Sequence, residues 1–280
     1  MLFKTATILA LAAAPFAYAQ NNNAIQLQSI IAQFKNAGLT PSPITTFEPC
    51  SLLSVSYGGS AIDAGKPQTV ATVKPQPTIQ LTPSVINCPD LSTESTFTIA
   101  MIDADVVGAS QSGGQTRHWL VNGVKPTGTE SPWTLDLNSG TNITAYGGPF
   151  PAEGSGAHRY MILALLEPTS FTAPSTPAPG SPIEKFDFEE YVKSAGLSYI
   201  IAGTYITVEQ GTATASVSPT SAVDTATLAA SSASGSSSGT RTGSATSTAT
   251  SPAGSNNAAV GRAVEWGMLG AAALLGAIAL

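Results

Sequence analysis

The spacing of apolar residues changes character several times along the chain, and each change predicts an element. Leu27, Ile30, Ile31 and Phe34 recur at helical intervals and give way to Gly38 and Pro41, which predicts an amphipathic N-terminal helix of about three turns. Beyond it come short apolar runs bounded by Gly, Pro, Asn or Asp: SLLSVSY, QTVATV, TIQLT, TFTIAMI, HWLVNG, YMILALL and AGTYITVE. Their length and their β-branched and aromatic content predict strands of a sandwich or barrel. A second helical period appears in SPIEKFDFEEYVKSAGL, where Phe188, Tyr191, Val192 and Ala195 share one face, with acidic residues early and Lys193 late as the helix dipole favours. The chain therefore reads as mainly β with a few peripheral helices and no internal repeat.

The two ends follow other patterns. MLFKTATILALAAAPFAYA has a lone Lys4, an apolar run and an Ala17-x-Ala19 exit, which reads as a secretory signal peptide over residues 1–19. Residues 20–211 then form one β domain. Residues 212–257 are almost wholly Ser, Thr, Ala and Gly, with one Asp224, one Arg241 and no aromatic residue, so they cannot bury a core and read as a disordered, O-glycosylated stalk. Residues 258–280 end in GMLGAAALLGAIAL after a polar spacer and small residues, the order of a GPI-attachment signal, with Asn256 as the expected attachment position. A spanning helix fits less well, because the 14 residues from Gly267 fall short of the roughly 20 that a bilayer core requires. The expected location is the outer cell surface or wall, with membrane contact only through the anchor.

Charge and cysteine content narrow the partners. Between Asn22 and Gly211 there are 8 Lys and Arg against 15 Asp and Glu, and no basic cluster, which argues against nucleic acid as a partner. Cys50 and Cys88 are the two cysteines, and an exported chain would more often pair them in a disulfide than keep two free thiols. Asn142 opens the glycosylation sequon NIT.

Two segments bring ionisable groups to strand ends beside turn-forming residues, where binding loops on a β scaffold usually lie. In FTIAMIDADVV, Asp103 and Asp105 stand two apart and are expected on one face, and the next strand opens with His118. In YGGPFPAEGSGAHRY, His158 and Tyr160 share a face while Arg159 points away. Asp residues at strand ends often serve as turn caps, and a histidine is often a hydrogen-bonded structural residue; both histidines of the chain lying in these two segments raises the alternative of one shared site. Arg159 is expected to pair with a carboxylate, Asp105 being the candidate, and Trp119 to belong to the core. Within residues 20–211 neither G-x-S-x-G, H-E-x-x-H nor a phosphate loop is present, and nothing calls for a metal or cofactor, so no enzyme is expected.

Taken together, Asp103-Ala-Asp105…His118-Trp-Leu-Val and Tyr146-x-Gly148-Pro149-x-Pro151…Gly156-Ala-His158-Arg159-Tyr160 resemble the two signature blocks of the phosphatidylethanolamine-binding protein family. The resemblance runs from LLSVSYGG to IAGTYITVE and excludes the stalk. It implies a large central antiparallel sheet packed on a smaller one, with a shallow pocket for phosphate-like anions and phospholipid head groups. Carried over by position, Asp103 and His118 form one wall and His158 and Tyr160 the other, with Tyr146, Gly148, Phe150 and Pro151 as further ligand-binding positions along the rim. Ala104 and Val107 replace prolines usual in the first block, and Phe150 and Ala152 replace a glycine and a proline of the rim, so the ring of Phe150 is where ligand preference is expected to be decided. The leading expectation is a binding module for a small anion or phospholipid head group. The alternative is a protein-interaction or protease-inhibitor module contacting its partner through VVGASQSGGQTR, and a hydrolase ranks last for want of an activated nucleophile.

Overall fold

A computed structural model describes residues 13–214, apart from 84–87, 90 and 198. Residues 1–12 of the expected signal peptide, the stalk from 215 on, Asn256 and the anchor signal lie outside the described residues. Among the described residues no helix is long and apolar enough to cross a membrane.

Helix α1 (Ala13–Asn36) extends the predicted N-terminal helix toward its start. It is followed by β1 (Ser51–Tyr57), β2 (Ser60–Ala61), β3 (Pro67–Gln68), the one-turn α2 (Val70–Val73) and β4 (Thr78–Pro83). Next come β5 (Phe97–Asp103), β6 (Gln115–Thr127), β7 (Trp133–Asp136), β8 (Thr141–Thr144) and β9 (His158–Leu166). The order closes with β10 (Glu184–Phe186), α3 (Phe188–Ser194) and β11 (Ile200–Val208).

The strands form a large set, β6-β5-β9-β11-β3 with β8 and β10 also on β6, and a small set, β2-β1-β4-β7. All pairings are antiparallel except the short β11–β3 pair. The two sets are one curled sheet, because the 13-residue β6 pairs with β5 along Thr116–Val124 and then with β7 along Lys125–Thr127. The expected architecture of a large sheet over a smaller one is thus found, with β6 carrying the chain between them.

Both faces of the large set are covered, which is why β5 and β9 read as nearly unbroken apolar runs. Phe97, Ile99, Met101, Trp119, Tyr160, Ile162 and Ile206 face the small set, where they meet Val55, Ile79, Leu81 and Trp133. Ala100, Ile102, Leu120, Met161, Leu163 and Leu165 face the other way, under Phe34, Leu39, Phe47, Phe188 and Tyr191. The apolar faces predicted for the two helices are what cover this second side. Trp119 is fully buried, as expected for a core residue.

Some sequence expectations fail locally. QTVATV is mostly a helical turn: the Thr69 hydroxyl accepts the Thr72 N–H at 3.1 Å, and this N-cap outweighs the strand preference of valine and threonine. The short strands β8 and β10 have no clear alternation, and β7 alternates over only four residues; all three are fixed by pairing with β6 and, for β7, β4. Asn142 is exposed on β8. Cys50 and Cys88 form the expected disulfide, joining the entry of β1 to the segment after β4.

Candidate functional site

Asp103 ends β5 opposite Tyr160 of β9, and His158 opens β9 opposite Val208 of β11. Period-two alternation turns His158 and Tyr160 to the same side, as expected from the sequence. His118 reaches that side by a different device. Met101 pairs with Trp119 and Ile102 with Arg117, which leaves His118 as the extra residue of a β-bulge and re-aims its ring. The imidazole meets the Tyr160 ring edge to face at 5.2 Å, and the His158 ring lies nearly parallel to the other side of the cluster, 6.3 Å from Tyr160. Tyr160, fully buried, is the hub that brings the two histidines together.

Asp103 and Asp105 do not share a strand face. The chain leaves β5 after Asp103, and Asp105 takes a left-handed conformation, φ 61°. The Asp103 carboxylate accepts the Asp105 N–H at 2.7 Å, so the turn-cap role and the site role are combined in one side chain. The turn returns the second carboxylate to the same imidazole: His158 Nδ1 lies 2.9 Å from Asp103 Oδ2, and Nε2 lies 3.6 Å from Asp105 Oδ1. Asp103 is one-tenth exposed at its side chain, Asp105 about half.

Arg159 corrects a sequence expectation. Its guanidinium pairs with no carboxylate among the described residues: Nε donates to the Asp105 carbonyl at 3.0 Å, Nη1 to the carbonyls of Ala37 (2.7 Å) and Gly38 (3.1 Å), and Nη2 to those of Ala104 (2.7 Å) and Val106 (2.8 Å). The planar donor fork suits this better than a single ion pair would, because it reaches carbonyls on two separate segments, the turn after β5 and the end of α1. Arg159 thereby bolts the site turn to the C-terminal end of α1, where a cation is also favoured by the helix dipole.

The remaining rim residues are spread out. His118 is clamped by Gly147, whose N–H donates to the His118 carbonyl at 2.9 Å and whose carbonyl lies 3.1 Å from Nδ1. That bond places the proton of neutral His118 on Nδ1 and leaves Nε2 an acceptor. Tyr146 turns its hydroxyl away from the histidines, donating to the Val73 carbonyl at 2.7 Å and lying 3.1 Å from the Tyr57 hydroxyl, while its ring packs on Trp119. Gly148 packs its backbone on the end of α2: a Cβ there would stand 2.7 Å from the Val73 carbonyl oxygen and 2.9 Å from Lys74 Cα. Pro151 is buried; Phe150 extends its ring outward, 67% exposed, with its backbone beside the Tyr160 hydroxyl. Asp103, His118, His158 and Tyr160 thus converge, with the Phe150 backbone at their edge, whereas Tyr146 and Gly148 support the loop from behind.

Sequence reading missed Ser155. Its Oγ lies 3.0 Å from His158 Nε2 and donates to the Ala152 carbonyl at 2.6 Å. A serine in a glycine-rich loop is too common to single out; only its position three residues before His158 marked it. Among the described residues no three His, Cys, Asp or Glu are placed to hold a metal ion.

The two histidines titrate in opposite directions. Burial lowers the His158 pKa, but the Asp103 hydrogen bond and the charges of Asp103 and Asp105 outweigh it, so the net shift is upward. At His118 burial dominates and the shift is downward, despite the Gly147 carbonyl and Asp103. Stabilisation by His158 is complete below the unfolded-state value of 6.5 and is lost as pH rises through its raised native value. Neutral His118 contributes stability above 6.5 that is lost as pH falls through its lowered native value. The histidine contribution to stability is therefore expected to peak near pH 6.5. Urea midpoints recorded from pH 5 to 8 should show this maximum, and His158→Gln should abolish the decline on its alkaline side.

A 26 kDa secreted antigen of Toxocara canis is 25% identical over 143 residues, covering 50% of this chain and 48% of the antigen, so the chain spans about half the length of that relative. Among solved structures, a carboxypeptidase Y inhibitor complexed with its cognate proteinase superposes with a TM-score of 0.56 at 20% identity, over 68% of this chain and 99% of the inhibitor, which shows the shared fold. A phosphatidylethanolamine-binding protein of Plasmodium vivax gives 0.47 at 18% identity, over 64% of this chain and 97% of its own. The model of the phosphatidylethanolamine-binding protein family matches residues 44–215, more than half of the chain and the whole of the curled sheet, so the chain belongs to that family.

Proposed function

We propose that the domain is a binding module whose ligand carries a phosphate-like group, a phospholipid head group being the leading candidate, displayed on a secreted, GPI-anchored cell-surface protein. The observation that carries this reading is the convergence of opposite charges on one rim: His158 between Asp103 and the half-exposed Asp105, next to His118 and Tyr160. Two carboxylates around one imidazolium would repel a bare dianion, whereas a zwitterion can place its phosphate toward imidazolium and loop N–H groups and its ammonium toward carboxylate and the His118 acceptor nitrogen. The ligand class favoured here is therefore a phosphoethanolamine-like zwitterion over inorganic phosphate.

Calorimetric titration tests this. Phosphoethanolamine should bind more tightly than phosphate, and affinity should decline as pH rises through the raised His158 range. Removing the imidazole in His158→Ala should weaken binding by about tenfold or more, the loss of one charge-assisted contact. Equal binding by the variant and the unsubstituted chain would sink the reading.

A second reading, docking of a protein partner such as a protease, draws on one observation: Phe150, Ile183 and Tyr199 are large apolar side chains left exposed on the described surface. An inhibition assay against carboxypeptidases with Phe150→Ala as the comparison would decide it, and inhibition indifferent to that change would count against the rim.

A further inference from the structure

The hydrolase reading ranked last because the sequence shows no activated nucleophile, and the fold places one beside the site. Ser155 Oγ, His158 Nε2, His158 Nδ1 and Asp103 Oδ2 form a continuous line with contacts of 3.0 Å and 2.9 Å. This is the connectivity by which a base takes a proton from a hydroxyl while a carboxylate fixes the imidazole tautomer. Ser155 is partly exposed, so the hydroxyl can be approached, and His158 and Asp103 are mostly enclosed, so the relay behind it is shielded. Directly after Ser155, the N–H groups of Gly156 and Ala157 donate to no protein acceptor among the described residues. Gly156 adopts φ 97°, a conformation open to glycine, and turns the chain where such N–H groups can gather charge on an oxyanion.

We infer that Ser155, His158 and Asp103 constitute a nucleophilic relay competent to accept an acyl group from a short-chain carboxylic ester. Ser155 Oγ adds to the ester carbonyl carbon as its proton passes to His158 Nε2, and the carbonyl oxygen becomes an oxyanion beside the Gly156 and Ala157 N–H groups. The tetrahedral adduct collapses, breaking the bond to the alkoxy oxygen, and Nε2 returns the proton to the departing alcohol. Water repeats the sequence on the acyl-serine: it adds to the carbonyl carbon, its proton passes through Nε2 to Ser155 Oγ, and the carboxylic acid leaves. Asp103 holds the Nδ1 proton throughout.

The hydroxyl has a competing acceptor, the Ala152 carbonyl at 2.6 Å, and this gives the relay a pH signature. When His158 is an imidazolium, Nε2 donates to Ser155 and the serine proton stays on Ala152. Once Nε2 is deprotonated it becomes an acceptor, and the hydroxyl proton can rotate toward it. Acylation therefore rises with pH through the His158 range, opposite in direction to the binding of phosphoethanolamine.

The relay does not depend on the binding reading, and the two are scored on the same full chain. Incubated with p-nitrophenyl acetate between pH 6 and 9, the chain should acquire an acetyl group at Ser155, located by peptide mapping, at a rate rising about tenfold per pH unit until the imidazole is neutral. Ser155→Ala should abolish that label, and His158→Gln should slow it by about 100-fold. Ser155→Cys, which keeps the size of the side chain, should take the acyl group as a thioester released by neutral hydroxylamine; an unlabelled Ser155→Cys variant overturns the proposal, as does labelling elsewhere that survives Ser155→Ala. A chain that binds phosphoethanolamine but stays unacylated at every pH defeats the relay alone, and one that is acylated without binding defeats the binding reading alone.

Discussion

Replacing Arg159 by alanine is expected to destabilise the head by about 3 to 5 kcal/mol, since five carbonyls would lose a charged donor and those of Ala37 and Gly38 have no other donor among the described residues. The residue is 2% exposed and touches two segments far apart in sequence, the end of α1 and the turn after β5. Water could replace only part of its donors. Arg159→Lys should recover little of the loss, because an ammonium is a compact point charge and cannot span carbonyls on both segments as the guanidinium fork does. Urea unfolding should show a lower midpoint with unchanged slope for both variants. A loss under about 1 kcal/mol for alanine would mean that the carbonyls find other donors, and the bolt would be a minor contact. The consequence reaches the site: with the turn freed, Asp105 is no longer held beside His158.

The second large effect concerns the disulfide. Cys50 and Cys88 are 38 residues apart, and in the chain-entropy model a closed loop of that length stabilises the native state by about 3 to 4 kcal/mol. The double substitution Cys50→Ala with Cys88→Ala should therefore lower stability by that amount in denaturant titration, leaving the curled sheet otherwise intact. The Ser51 hydroxyl stands 3.3 Å from Cys88 Sγ and loses a neighbour at the same time, which adds little beside the entropy change. Little or no change would indicate that the unfolded chain is already constrained between these positions.

How far the sequence anticipated this differs from element to element. The strands β1, β4, β5, β9 and β11 were legible because each is an apolar or alternating run of six to nine residues with clear ends. α3 was legible for its apolar face and its early acidic and late basic residues; the structure adds the Asp187 side chain, which caps it by accepting the Glu190 N–H at 3.0 Å. α2 was not, because four residues of Val, Ala and Thr carry a strand preference that a single Thr69 cap overrode. At the site, the pairing of His158 with Tyr160 followed from alternation alone. The approach of His118 did not, since a bulge is a two-against-one mismatch between strands and leaves no trace in one strand's own pattern.

By itself the sequence determined the apolar runs, the two loop segments that hold both histidines, the cysteine pair and the family blocks, because these are properties of composition and of period along one chain. Only the tertiary structure decided what the charged groups do. Arg159 abandons the expected carboxylate for five carbonyls, Asp105 returns to His158 through a left-handed turn, and Ser155 arrives at Nε2. Each outcome depends on which partners the folded chain brings within about 3 Å, the range over which a hydrogen bond is made or lost. Residues 55 positions apart, such as Asp103 and His158, meet only after β5 and β9 have paired.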